Sequence, residues 1–218
     1  MPSVLDEPSA HGSSHLLLTP PPAHQNPQTF LDQLVEEWVV LPEEWDELPP
    51  AARHEILGAD SGADFLNRLA RHQLLTPFQA EAIRTGCAGE LVLGHYRLLE
   101  PIGRGGMGTV YRAEHLHLRR QVAVKVMSRS VETNSRLLHR FYGEARSVAK
   151  LQHPNIVACT DAGRHAPPGH SPRDYYVMEL IPGQDLHELV GSGAAWRPAS
   201  VQATMFGCWS LATDRASP

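Results

Sequence analysis

The stretch Ile102-Gly103-Arg104-Gly105-Gly106-Met107-Gly108-Thr109-Val110-Tyr111 decides how this chain is read. Gly103, Gly105 and Gly108 fall at G-x-G-x-x-G spacing, with Val110 two residues on. Glycine has no Cβ, so backbone N–H groups can approach a ligand closely. Successive exposed N–H groups suit phosphate oxygens. Alone, the pattern fits a ligand-free glycine-rich hairpin equally well. The flanks choose between the readings. A dinucleotide-binding unit sets its glycines between a strand and a helix, with an acid roughly 20 positions later. Here they lie between two strand-like runs, 96–100 and 109–113, and a third run, Gln121-Val122-Ala123-Val124-Lys125-Val126-Met127, follows. β-branched residues and alternation predict strands in all three. The glycines therefore make a flap between antiparallel strands, and a lysine rather than an acid comes next.

Val122-Ala123-Val124-Lys125 resembles the third-strand V-A-I-K element of protein kinases, and the glycine stretch resembles their phosphate-covering loop. The wording Gly105-Gly106-Met107-Gly108 is similar to serine/threonine kinases of the bacterial eukaryotic-like kind. Glu144 falls where that family keeps its αC glutamate. His153-Pro154-Asn155-Ile156-Val157 resembles the turn into the fourth strand, and Tyr176-Val177-Met178-Glu179-Leu180-Ile181 the fifth strand and hinge. The resemblance covers residues 96–190. It implies an α+β fold: a kinase-like N-lobe with a twisted five-stranded antiparallel sheet and the αC helix, behind a small helical segment. It also implies ATP-dependent phosphorylation of serine or threonine in a protein substrate. Ile102, Gly103, Arg104, Gly105, Gly106, Met107, Gly108, Thr109 and Val110 would cover the ATP phosphates. Ala123 would contact ATP and Met178 would bound the adenine pocket, with backbone groups of Glu179 and Ile181 at the adenine edge and Asp185 at the ribose. Lys125 would hold the α- and β-phosphates and Glu144 would fix Lys125.

The residues support part of this on their own. Lys125 sits in a strand of Val and Ala, and an unpaired buried ammonium is costly, so it needs a partner. Glu144 is the candidate. It lies on a helix predicted over 135–151, where Leu137, Leu138, Phe141, Ala145, Val148 and Leu151 keep helical spacing. Such a glutamate reads equally as a solvated helix residue. Gly143 beside it weakens the helix by about 1 kcal/mol relative to alanine. Asp185 reads either as the ribose acid or as the N-cap of a following helix.

Neither H-R-D-x-x-x-x-N nor D-F-G occurs in the 218 residues. Pro172-Arg173-Asp174 precedes the hinge and has Pro for His, and Asp214 stands in neither motif. The catalytic base and the ligands for the Mg2+ that the family uses belong to motifs this sequence lacks. Residues 191–218 hold no Lys and no Glu and show no period, so they stay an unassigned tail that reads as a frame change or a premature end. The kinase domain is expected over 91–190, truncated and catalytically incomplete. Two other functions remain open: a non-catalytic nucleotide-binding or regulatory fragment, and an interaction module built on 29–90.

Upstream, residues 1–28 carry six prolines without periodicity and read as disordered. Residues 29–90 read as an accessory segment of short helices capped by Thr29, Ser61 and Thr76, the last in a capping box with Gln79. Residues 89–95 read as a linker, 163–173 as a loop, and His115-Leu116-His117 as surface loop rather than part of a metal site. Residues 31–64 hold ten acids against Arg53, a net of −9, whereas 97–150 carry a net of +7. That asymmetry describes either two solvated faces or an intramolecular docking of 29–90 on the basic lobe. The whole chain is at −5, which gives no reason to expect nucleic-acid binding. Three cysteines without CxxC spacing fit a reducing compartment. No apolar run reaches membrane-spanning length or forms a signal-peptide core, so a cytoplasmic location is expected.

Overall fold

The computed structural model describes residues 26–129, 135–166, 171–185, 201–203 and 209–211. Most of the proline-rich 1–28 segment, residues 186–190 and most of the tail lie outside them. Five helices come first: α1 (Pro27–Glu36), α2 (Pro42–Asp46), α3 (Pro50–Leu57), α4 (Gly62–Arg71) and α5 (Pro77–Arg84). Four begin on proline, whose missing N–H is not needed in a first turn. The cap of α1 is Asn26, not Thr29: its side chain accepts from Gln28 N–H at 2.9 Å, which pulls Pro27 and Gln28 into the helix. Ser61 caps α4, accepting from Asp64 N–H at 3.2 Å. The capping box of α5 is complete, with Gln79 N–H on Thr76 Oγ1 at 3.2 Å and Thr76 N–H on Gln79 Oε1 at 2.9 Å. Helices α2 and α3 escape the periodicity reading because they are short and offer only Pro42 and Pro50 as start signals. The apolar faces meet in one core, where Phe30 and Phe65 pack edge to face at 5.9 Å around Leu34, Ile56, Leu69 and Ile83.

The sheet has six strands, one more than expected: β1 (Val92–Leu93), β2 (Tyr96–Gly105), β3 (Gly108–His115), β4 (Arg120–Met127), β5 (Cys159–His165) and β6 (Arg173–Glu179). The order is β1-β2-β3-β4-β6-β5, antiparallel throughout. The extra strand is the stretch read as linker. Val92 and Leu93 fold back on Arg97 and Tyr96 through a Gly94-His95 turn, and Gly94 takes φ +59 as a two-residue hairpin demands. Strand β5 runs on to His165, into the stretch read as loop, and Arg173 already opens β6.

Side-chain alternation along β4 divides two cores. Val122, Val124 and Val126 face one side with Leu98, Ala113 and Val177. Ala123 and Met127 face the other, where α6 (Ser135–Ala149) lays down Phe141 and Ala145 against Tyr176 and Met178. Phe141 and Tyr176 rings stand 5.0 Å apart. Helix α6 runs unbroken through Gly143, at which a Cβ would meet nothing within 4 Å.

Helix α5 docks on the first face through β2. The β2–β3 register shifts between Leu98 and Glu100, and the freed carbonyls turn to the helix. Gln79 Nε2 donates to Leu98 O at 2.9 Å and the Thr76 hydroxyl donates to Leu99 O. The capping box thus also fastens the helices to the sheet. Of the acids in 31–64, Glu44 reaches across to Arg97 and Arg119, while Glu55 and Asp64 pair with Arg71 and Arg68 of their own segment. Contact between the segments rests on packing and hydrogen bonds, with ionic links at Glu44 and at Glu90, which pairs with Arg129 and Arg173. Strand β7 (Gln184–Asp185) and, in the tail, β8 (Val201–Ala203) and β9 (Trp209–Leu211) form a separate sheet in the order β7-β9-β8. Strands of two or three residues are too short to show a sequence period; Asp185 lies in one of them, and the helix expected to follow it falls on residues outside those described.

Candidate nucleotide site

Strands β2 and β3 close the glycine hairpin at Gly106-Met107, with Gly105 paired to Gly108. Ser128 N–H donates to Met107 O at 3.1 Å and holds the tip over the end of β4. None of Gly103, Gly105, Gly106 and Gly108 takes a positive φ, so conformational freedom is not what this loop asks of them. Gly105 and Gly106 have open space where a Cβ would go. At Gly108 a Cβ would lie 2.1 Å from Val126 O, so this glycine serves close packing of β3 on β4. Ile102, Arg104, Gly105 and Gly106 are exposed; Gly103, Met107, Thr109 and Val110 are half-buried.

Antiparallel register puts Val110 opposite Lys125, and Lys125 opposite Tyr176. Directly opposed residues share a face, so all three look the same way. Two residues along β4, Ala123 stands opposite Met178, and both are buried on that face. Lys125 Nζ lies 3.1 and 3.3 Å from the Glu144 carboxylate oxygens, and the Glu144 side chain is only 4% exposed. The solvated alternative for Glu144 is thereby excluded. The ammonium also lies 5.5 Å from the Tyr176 ring centroid, a cation–π distance. Burial, with the Glu144 charge nearby, pushes the Tyr176 phenol far above its usual range, so it stays neutral. Tyr176 was read from sequence only as part of a strand; its place across from Lys125 follows from register, which no local pattern carries.

At the hinge end, Met178 is buried, Ile181 is half-buried, and Glu179 N–H donates to Ala158 O at 3.0 Å. The tripeptide Pro172-Arg173-Asp174 has a structural role. Arg173 bonds Glu90 at 2.8 Å and Met127 O at 3.2 Å, and buried Asp174 accepts from the Tyr142 hydroxyl at 2.6 Å. Burial first, then that bond, hold the Tyr142 phenol well above its usual range. Strand β7 carries Asp185. His95 joins His115 and His117, with ring centroids 5.4 to 6.2 Å apart and Trp38 5.8 Å from His117. Among the described residues no group of three His, Cys, Asp or Glu could hold a metal ion. Among the described residues, the Lys125 ammonium held by Glu144 suits a phosphate group, and the sequence holds neither motif to which the family's Mg2+ ligands belong. Among the described residues, too, no helix is long and apolar enough to cross a membrane.

The protein kinase domain family matches residues 96–208, running past Val190, where the sequence resemblance stops. The serine/threonine-protein kinase Pkn1 of Myxococcus xanthus is 41% identical over 102 residues, 47% of this chain and 14% of that protein. The serine/threonine-protein kinase PrkC of Bacillus subtilis is 36% identical over 110 residues, 50% of this chain and 16% of that protein. The chain thus spans about one-seventh of the length of these relatives. Among solved structures, the Mycobacterium tuberculosis PknI kinase domain aligns at 25% identity with a TM-score of 0.37, covering 49% of this chain and 42% of that one.

Proposed function

The chain belongs to the protein kinase family, and from that premise we propose that residues 96–185 form the ATP-holding lobe of a serine/threonine kinase. The observation that carries the reading is the Lys125–Glu144 pair on the same sheet face as Val110, Ala123 and Met178. A lysine fixed by a buried carboxylate presents its charge at one point, where it can meet the α- and β-phosphates. Ala123, Val110 and Met178 offer an apolar wall for the adenine, the backbone of Glu179 and Ile181 its edge, and Asp185 its ribose. The glycine hairpin from Ile102 to Val110 covers the phosphates. In a complete kinase, ATP would supply the γ-phosphoryl group that a serine or threonine of a protein substrate accepts.

Within these 218 residues the lobe binds ATP and does not transfer phosphate. Transfer needs a group orienting the attacking hydroxyl and metal ions bridging the phosphates. No H-R-D or D-F-G motif is present to bring them. Contacts made equally to ground and transition states add affinity without rate. A soluble, cytoplasmic-side setting suits such a domain. The test is calorimetric titration of the chain with ATP beside Lys125→Met, whose side chain fills similar space. Affinity should fall at least tenfold in the variant while its melting curve stays cooperative; equal affinity would overturn the site. Radiolabelled ATP with a generic basic protein should give no transfer above the Lys125→Met control, and transfer above it would overturn the binding-only reading.

A further inference from the structure

On the reverse of the strands that carry Val110 and Lys125, α5 and β1 roof a cavity of about 250 Å3. Its walls are apolar: Leu91, Leu93, Leu98 and Val126, with Phe78 and Tyr111 standing 5.5 Å apart at 43°. An apolar cavity of about 150 Å3 stays dry and takes up benzene, whereas drug-sized ligands fill about 300 Å3 or more. A volume between these suits two fused rings, and the tilted Phe78 and Tyr111 rings offer it stacking and edge contacts.

The rim fixes the charge of the occupant. Glu90 is held by Arg173 at 2.8 Å and by Arg129, and Glu81 by Arg84. The Thr85 hydroxyl donates to Glu81 O at 2.9 Å. Charges already paired within the chain offer nothing to an ionic ligand, and a charged group entering apolar walls would lose its hydration uncompensated. We infer that this cavity is a binding site for a neutral, planar, two-ring small molecule, separate from the nucleotide face. Its floor, Tyr111 and Val126, lies one residue from Val110 and Lys125 on each strand, so the two sites share strands and not space.

The probe is 5-fluoroindole, followed by fluorine NMR on the full chain. We expect a saturable shift with a dissociation constant below about 1 mM that persists at saturating ATP. Ala82→Phe, which fills the cavity from α5, should weaken binding at least tenfold. If that variant does not melt cooperatively, Cys87→Trp at the exposed mouth replaces it, with the same expectation. N-acetyltryptophanamide carries an indole on a polar peptide backbone that would lose its hydration against the apolar walls, and should bind at least tenfold more weakly than 5-fluoroindole. A response that stays linear to 5 mM, displacement by ATP, undiminished binding by the filled variant, or equal affinity for the peptide analogue would each overturn the assignment. Failure of ATP binding would touch only the nucleotide site.

Discussion

Arg97 on β2 and Glu44 on α2 form a two-pronged ion pair across the seam between helices and sheet, at 2.6 and 2.8 Å. Arg97 is buried, also bonds Val39 O at 3.1 Å, and shares its second carboxylate, Glu114, with Arg119. Two arginines and two carboxylates thereby neutralise one another, which is what makes burying Arg97 and Glu114 tolerable.

Arg97→Met should destabilise the chain by about 2–4 kcal/mol, because removing one member leaves part-buried carboxylates short of a partner. Urea unfolding of the parent, Arg97→Met, Glu44→Gln and the double variant measures it. A coupling of about 0.5–3 kcal/mol is expected for groups in one network. An additive double variant would remove this ion pair from what holds the helices to the sheet.

Acid should loosen the same clamp. Burial raises the Glu44 carboxyl, but hydrogen bonds and charge from Arg97, with help from Arg119, outweigh it and hold the group below the usual carboxylate range. The folded value is depressed, so the stabilisation is fully present above the ordinary value near 4.5 and is lost as pH falls through the lower folded value. The melting-temperature gap between the parent and Glu44→Gln should narrow between pH 6 and pH 3. A constant gap would remove Glu44 from the acid limb.

The glycine hairpin should respond unevenly to alanine. Gly108→Ala places a Cβ against Val126 O and should cost about 2 kcal/mol or more, whereas Gly106→Ala meets open space and should stay within about 0.5 kcal/mol. Thermal melts of both variants decide. Equal effects would mean that the hairpin packs differently on β4.

Gly143→Ala should stabilise α6 by about 0.5–1 kcal/mol, since an interior glycine costs entropy and its site is empty. Glu144 follows it directly, so a firmer helix should leave the Lys125 pair intact. Denaturant midpoints measure the gain, and a lower midpoint would contradict the continuous helix.

What the sequence determined by itself is what local chemistry writes. The capping box at Thr76 and the Ser61 cap are read from residues three positions apart, because the bonds they make span one turn. Helix α6 is legible from its 3.6-residue period and β4 from its β-branched run. The site was legible as types of residue: a lysine in an apolar strand, a glutamate on a helix face, glycines in a hairpin. Only the tertiary structure decided how they meet. It set Lys125 3.1 Å from Glu144, put Tyr176 opposite, and gave Gly108 its reason in Val126 O. It also added β1, moved the first cap to Asn26, gathered His95 with His115 and His117, and joined Arg97 to Glu44. Caps shift by single residues and two-residue strands carry no period, so weak local signals leave such choices to packing. Pairs 53 positions apart obey register and burial across the whole lobe, and no window of sequence contains both partners.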